Sequence, residues 1–531
     1  MGVQEGRSVK ASLKICLGSV WLAAISPVMA RGQERPTAPT AVRLGTPAPA
    51  VRMPTIPALP EPSESTEIRT TAEGRGFPIL DGQEVQPIDL ANALRLAGAR
   101  ALDIATAREQ VLHAVGQLDQ ARGLWLPSLF TGPTYYRLDG QVQEINGKVI
   151  TVSRGSLSLS STATLANSFP AAPPGSGFPA LNSLSGTLRI SDAIFGVKVA
   201  KRTIAANRAG VAAATNDAIL GAAEGYFDLQ EAAGMLQIAR EAAENAGSLA
   251  AITGSFVKSG AGLEADHRRI LAELRSRKRS IRMAVGQLEV ASANLVRPLL
   301  IDPHVVVAPA EPAETVYRPV ADDCVLDDLI TQAWRWRPEL LQARELVEAS
   351  IYRLKQARLR PFVPSLAVSY AGGGFGGGVG SYFGNFSGRG DLAASLFWDL
   401  RGLGLIDRGV IRQAHAGRHM ADIDFLRIQA QVAADVVAAY KARRAAADSM
   451  EDARESVAEA VQSLKLNMTN IRGGGGLPGA TRPIEVLQPI QALAFSRTEY
   501  LTAVLAYNRA QFRLHRAIGR APMIPAGEAA K

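Results

Sequence analysis

Ala205, Ala212, Ile219, Tyr226 and Ala233 recur every seven residues, and Ala222, Leu229, Leu236, Ala243 and Ala250 form a second seven-residue series offset by three. Apolar seams at this spacing specify helices that pack as coiled coils, and alanine at many seam positions lets neighbouring helices approach closely. No proline falls between Pro179 and Pro298 or between Pro364 and Pro478. The pattern therefore predicts very long helices. The stretch from Gly196 to Lys258 alone is roughly 63 residues, or about 95 Å at ~1.5 Å per residue, which suits a rod or a helical tube and exceeds any globular core. Each long helix ends in glycines, first Ser259-Gly260-Ala261-Gly262, then Gly473 to Gly476 followed by Pro478. Glycine supplies the positive φ that ends a helix and reverses the chain. Returning helices are expected over Glu264–Val296 and Ile484–Ile518, giving two antiparallel helical hairpins with glycine tips.

Ahead of each long helix the period changes. An opening helix is predicted from Ile88 to about Trp125, with a counterpart from Leu326 to about Arg360. Strands follow: Leu366, Val368 and Tyr370 alternate with Ala367 and Ser369, and Leu396 and Trp398 with Ser395 and Phe397. In the first half the returning strand is expected over Thr187–Ser191. An insertion, Asp139 to about Ser185, separates the first strand pair. Within it, Gln141–Ile145 and Lys148–Val152 flank Asn146-Gly147, a two-residue hairpin-turn signal. The rest is rich in Ser, Pro and Ala, and the whole insertion is expected at the outer mouth of any barrel.

The two halves are copies. Ala107-Arg108-Glu109 recurs as Ala343-Arg344-Glu345, and Gln120-Ala121-Arg122 as Gln356-Ala357-Arg358, at one shift of 236. Pro127-Ser128-Leu129 recurs as Pro364-Ser365-Leu366. Tyr226 and Ala239-Arg240-Glu241 match Tyr440 and Ala453-Arg454-Glu455 at a shift of 214, and Ala291, Leu295 and Arg297 match Ala510, Leu514 and Arg516 at 219. Ordered groups at nearly constant shifts indicate an internal repeat. The organisation expected is a first repeat over 86–300, a connector over 301–324, a second repeat over 325–520 and a tail over 521–531.

The N-terminus changes the compartment. Arg7, Lys10 and Lys14 precede an apolar stretch, Ile15 to Ala24, and Val28-Met29-Ala30 has small residues where a signal peptidase reads. Residues 1–30 read as a secretory signal peptide, the stretch being well short of the ~20 residues of a membrane-anchoring helix. Eight prolines between Pro36 and Pro62 make 31–85 a linker that cannot pack a core. Losing the signal removes three basic residues and one acid, and the net charge falls from +9 to +7. The basic residues are interspersed with acids along helices, and an exported protein does not meet DNA, so nucleic acid is excluded as a partner. Only Cys324 survives cleavage, which leaves no intramolecular disulfide, and Cys16 lacks the context of a lipid anchor. No mature stretch has 18 apolar residues in a row, so membrane crossing would require a β-barrel.

Several segments resemble the TolC-like outer-membrane efflux protein family. They are Gln120-Ala121-Arg122 before Pro127-Ser128-Leu129 and its second copy, the segment Ile484-Glu485-Val486-Leu487-Gln488 with Gln491-Ala492, and the closing Tyr507-Asn508-Arg509-Ala510 with Leu514, Arg516-Ala517 and Gly519. Their order on a duplicated frame over about 88–520 carries the resemblance. It implies a mostly helical α+β fold: duplicated long antiparallel hairpins forming a coiled-coil α-barrel, plus four strands per chain in a shared trimeric β-barrel. It also implies a homotrimer in the outer-membrane lipid, with its helical tube in the periplasm. The tips, Gly260 and Gly262 with Gly473 and Gly475, would meet a periplasmic adaptor protein bound to an inner-membrane pump. Such a passive duct for small toxic solutes or secreted polypeptide needs no cofactor. The competing reading is a periplasmic coiled-coil adaptor or scaffold without a barrel, which the alternating strands disfavour.

Candidate chemistry is sparse, and no enzyme is expected. Gly372–Gly374 and Gly376–Gly378 lack the Lys-Ser/Thr of a phosphate loop and are expected in an extracellular loop. His415 and His419 have a metal-compatible spacing of four but no third ligand nearby. Asp228 and Glu231 suggest no acid–base pair. Asp266 and Glu485 occupy equivalent positions in the two returning helices. As N-terminal acids they suit the helix dipole; in a trimer they would form acidic rings that gate the periplasmic entrance.

Overall fold

The computed structural model describes residues 85–165, 187–260, 262–321, 323–379, 384–472 and 483–520. The expected signal peptide, nearly all of the expected linker, the tail, and Gly473 and Gly475 lie outside them.

Two helices open each repeat where one was predicted. Strand β1 (Val85–Ile88) leads into α1 (Leu90–Arg100), whose N-cap Asp89 accepts from the Asn92 N–H at 3.1 Å. Helix α2 (Leu102–Gly123) follows after a break at Ala101, which holds φ −56° and ψ 130°. The second repeat has α5 (Leu326–Trp336) and α6 (Pro338–Leu359), broken at Arg337 with φ −66° and ψ 120°. Proline forces the residue before it out of the helical region, which explains Arg337. Ala101 stands at the same place at the shift of 236 with no proline after it, so the break belongs to the repeat and only one copy signals it.

The long helices have the expected lengths. Helix α3 (Ile190–Lys258) runs 69 residues, about 100 Å, and α4 (Glu264–Leu299) returns along it. In the second repeat α7 (Leu405–Arg472) runs 68 residues. It is answered by a single 3-10 turn, Pro483–Val486, and α8 (Leu487–Ala517), so the expected start of that returning helix at Ile484 is not α-helical. The seam Ala222, Leu229, Leu236, Ala243 and Ala250 is buried throughout. The other series holds from Ile219 onward, but Ala212 is exposed and Ala206, Ala209, Ala213 and Asn216 are buried in its stead. A straight helix drifts ~20° per seven residues, and above Ile219 α3 packs on α2 and α6, a different set of neighbours. The duplication extends to burial: Ala284, Leu288 and Leu295 of α4 match Ala503, Tyr507 and Leu514 of α8, all buried, at the shift of 219.

Between the helices lies one antiparallel sheet. Strands β2 (Pro127–Gln143) and β3 (Val149–Leu165) pair along their whole length, from Pro127–Leu165 to Gln143–Val149. Strand β6 (Ser365–Val379) pairs on one edge with β3 and, in line with it, with the short β4 (Thr187–Arg189); β7 (Ser387–Phe397) takes its other edge. Strands β3 and β4 form a single line interrupted by 166–186, so the chain supplies four strand lines. The first part of the insertion extends the β2–β3 hairpin, where the hairpin was expected; Leu165 and Thr187 lie at the end of the sheet next to the helices, opposite the hairpin turn, and 166–186, the part expected at the outer mouth, lie outside the described residues. The turn itself differs from the expected two-residue form. The Gly147 N–H donates to Glu144 O and the Glu144 N–H to Lys148 O, Gly147 sits at φ +86°, and Asn146 is not at positive φ. This is a three-residue loop with a glycine bulge, in which one left-handed residue suffices.

A connector closes the repeat junction. Strand β5 (Val306–Pro309) pairs in parallel with β1. The core beneath it joins α1, α3, α4 and α8 around Tyr226, Phe227, Tyr317 and Phe512, with the Phe227 and Phe512 rings edge-on at 5.3 Å.

Candidate functional site

The sheet has two chemically different faces. The register places Leu129, Tyr135, Leu157, Leu366, Val368, Tyr370, Leu392 and Leu396 on one side. Leu129 is 71% and Leu392 74% exposed. Ser128, Ser156, Ala367, Ser387 and Ser395 fall on the other side. A sheet apolar outward and polar inward is the pattern of a barrel wall between lipid and water. The glycine run, expected in a loop, lies within β6, paired with β3 throughout and with β7 as far as Phe375–Ser387. Its role is steric. A Cβ on Gly374 or Gly376 would collide with the Phe386 ring, and one on Gly372 with the Tyr370 hydroxyl, so two aromatic rings lie flat on the apolar face where side chains are missing.

Exposed aromatics ring the helix end of the sheet. Trp125 and Leu126 follow α2, Phe362 follows α6, and Trp398 follows β7 with its indole N–H donating to Phe362 O at 3.2 Å. Amphipathic rings at one height mark a lipid–water interface. No helix among the described residues is long and apolar enough to cross a membrane.

The helices are registered by charge. From α8, Arg497 meets Glu241, Arg509 meets Asp228 and Glu231 at 2.6 and 2.7 Å, Arg513 meets Glu224, and Arg516 meets Asp217, all on α3. Numbers rise on α8 as they fall on α3, as antiparallel helices require. Asp228 and Glu231 thus act as partners for Arg509. Each such pair, being partly exposed, contributes ~1 kcal/mol or less, so the ladder sets register more than stability. At the α5–α6 break Arg337, nearly fully buried, binds Asp435 at 2.6 Å and Glu339 at 3.3 Å, and Arg516 also reaches Glu339.

The connector is clamped by side chains that the sequence did not single out for the task. Asn508 accepts the Tyr317 N–H at 2.9 Å and donates to Thr315 O at 2.7 Å. Gln511 accepts from Val320 N and donates to the Tyr507 hydroxyl. Arg443 donates to Ala321 O and Ser292 accepts from Val307 N. Glu311 receives the Leu90 N–H and the Tyr226 hydroxyl. Burial pushes the Glu311 carboxyl above its usual range against those hydrogen bonds, and burial followed by the nearby Glu311 charge pushes the Tyr226 phenol far up. Asn508 lies in the Tyr507–Ala510 segment that resembles the family, the one sequence signal that pointed here.

Both hairpin tips share a core. Leu249 and Ile270 of the first hairpin pack with Leu464, Ile471, Val486 and Ile490 of the second. Gly260 holds φ +74°, and the Gly262 N–H closes on Phe256 O at 3.0 Å. Asp266 lies in the first turn of α4, while Glu485 lies in the 3-10 turn before α8, so the two acids stand at the same end of the molecule but in different local backbone. His415 and His419 stack edge-on at 4.6 Å on α7, beside Met420 and Ile423. Among the described residues no group of three or more His, Cys, Asp or Glu side chains converges to hold a metal.

No protein-family model and no curated protein matches this sequence. Solved structures do match. The outer-membrane channel OprN is 14% identical across 85% of this chain and 97% of its own, with a TM-score of 0.63. The CmeC outer membrane channel of Campylobacter jejuni is 16% identical across 81% of this chain and 85% of its own, at 0.64. The MtrE outer membrane channel of Neisseria gonorrhoeae, in its open state, is 17% identical across 81% and 88%, at 0.64. At these identities the likeness is one of fold, extending over the duplicated helices and the sheet together. The chain has the fold of the TolC-like outer-membrane channels.

Proposed function

We propose that this chain is one subunit of a homotrimeric outer-membrane channel, in which three four-stranded sheets close a single barrel and the helical hairpins form a tube through the periplasm. The observation that carries the reading is the sheet: one face apolar and exposed, the other rich in serine, with the outer edges of β2 and β7 unpaired among the described strands. Lipid does not tolerate open edges, so copies must supply the missing partners. The duct is passive, works without a cofactor, and carries small toxic solutes or a secreted polypeptide. Its tips, around Gly260, Gly262, Gly473 and Gly475, meet a periplasmic adaptor coupled to an inner-membrane pump. Membrane fractionation tests the reading: recovery in the outer membrane is expected, and a soluble periplasmic protein would instead favour a scaffold without a barrel.

Asp266 and Glu485 are proposed as the acids of the periplasmic entrance. With both replaced by Ala, cation selectivity in planar bilayers should fall. Unchanged conductance and selectivity would leave them as helix-terminal acids that complement the dipole.

A further inference from the structure

The β2–β3 hairpin outruns its neighbour. The last described pair of β6 with β3 is Arg154–Val379, whereas β2 and β3 stay paired to Gln143–Val149. The rungs from Asp139–Ser153 onward extend beyond β6 by about 17 Å at ~3.4 Å per residue.

Polarity inverts on this extension. In the sheet, the face bearing Leu129, Tyr135 and Leu157 is apolar. Farther out the same face carries Arg137, Asp139, Gln141, Thr151 and Ser153, all exposed, with Val149 beside the turn its one exposed aliphatic residue there. It is tied together there, with the Arg137 guanidinium donating to the Asp139 carboxylate and the Ser153 hydroxyl donating to it at 2.6 Å. The opposite face, which carries Ser128 and Ser156 in the sheet, now carries Leu138, Val142, Ile150 and Val152, each half-buried. Arg154 borders this patch at its base, where β6 ends. The ladder runs unbroken from Pro127 to Gln143, so no register slip produces the inversion; the residues themselves change sides.

In a barrel the serine-bearing face looks into the lumen. The extension therefore turns its apolar side toward the channel axis and its charged side outward. Apolar surface left in water lowers stability, and a patch backed by a polar face marks a contact. Strand β2 is also an edge of the sheet, so each hairpin rises beside the seam between two copies. We infer that the surface covering this patch is the same hairpin of the other copies: the Leu138, Val142, Ile150 and Val152 faces meet around the axis as an apolar collar that narrows the outer mouth. A patch without acids, built of small branched side chains, is compatible with meeting its own symmetry copies. The inference rests on the trimeric-channel reading.

The test uses the full-length protein in a Cys324→Ser background. In intact outer membranes a short bifunctional maleimide should link Val142→Cys between copies and should not link Gln141→Cys, on the opposite face. In planar bilayers, replacing Leu138, Val142, Ile150 and Val152 together by Ser should raise single-channel conductance about twofold or more, since an apolar constriction impedes water and ions. Absence of linking at position 142, or linking no stronger than at 141, overturns the collar and leaves the channel reading standing. A wild-type protein that forms no channel at all overturns both. The single-cysteine variants decide the matter if the fourfold variant does not assemble.

Discussion

Glu311 shows how much of this molecule depends on single polar side chains in an apolar setting. It takes the first free N–H of α1 and the Tyr226 hydroxyl, so one carboxyl fastens the connector to both the opening helix and the long helix. Because burial raises its folded value above the ordinary one, near 4.3, the folded chain holds this proton more readily than the unfolded chain. Its contribution is complete below the ordinary value and is lost as pH rises through the folded value. The melting temperature of the wild type, relative to Glu311→Gln, should therefore decline as pH rises from about 4 toward neutrality, read by circular dichroism. A difference independent of pH would show that the carboxyl is not destabilised by burial. None of this was legible in the sequence. A lone Glu between Ala310 and Pro312 carries no pattern, and its partners lie 85 and 221 positions away.

At the scale of elements, the long helices were legible because their signals are local and redundant: seven-residue seams, no proline, glycine at the ends. The end of α3 at Lys258 and the start of α4 at Glu264 fall where the sequence places them. Where the structure departs from the local signals, the cause is packing partners that local sequence does not encode. Ala101 breaks a helix with no breaker beside it; the repeat, compared with Arg337-Pro338, held the clue. The glycine run reads as a loop until Tyr370 and Phe386 are seen lying over it. Asn146-Gly147 signals a turn, but its loop length depends on how the strands register. Two glycines of α3 separate these effects. A side chain at Gly234 would press into Leu501 and Ala313, whereas Gly221 has open space. Gly234→Val should destabilise the fold by about 1–3 kcal/mol, and Gly221→Ala should stabilise it by up to ~1 kcal/mol. Chemical denaturation of the two variants measures both, and equal effects would mean that α3 and α8 are not in close contact at Gly234.

For the whole molecule, duplication explains the architecture. One repeat supplies a sheet line pair and a helical hairpin; two supply four lines and two hairpins, joined by the Arg–acid ladder of α8 on α3 and by the shared core at the tips. What a single chain lacks is closure. In the proposed channel two sheet edges and an apolar face meet other copies and lipid, a reading the sequence suggests through the absence of a spanning helix together with alternating strands. The direct measurement is native mass spectrometry of the protein extracted in detergent from the outer membrane. A single species of three chains is the expected result; a monomer, or no protein in that membrane to extract, would contradict the account.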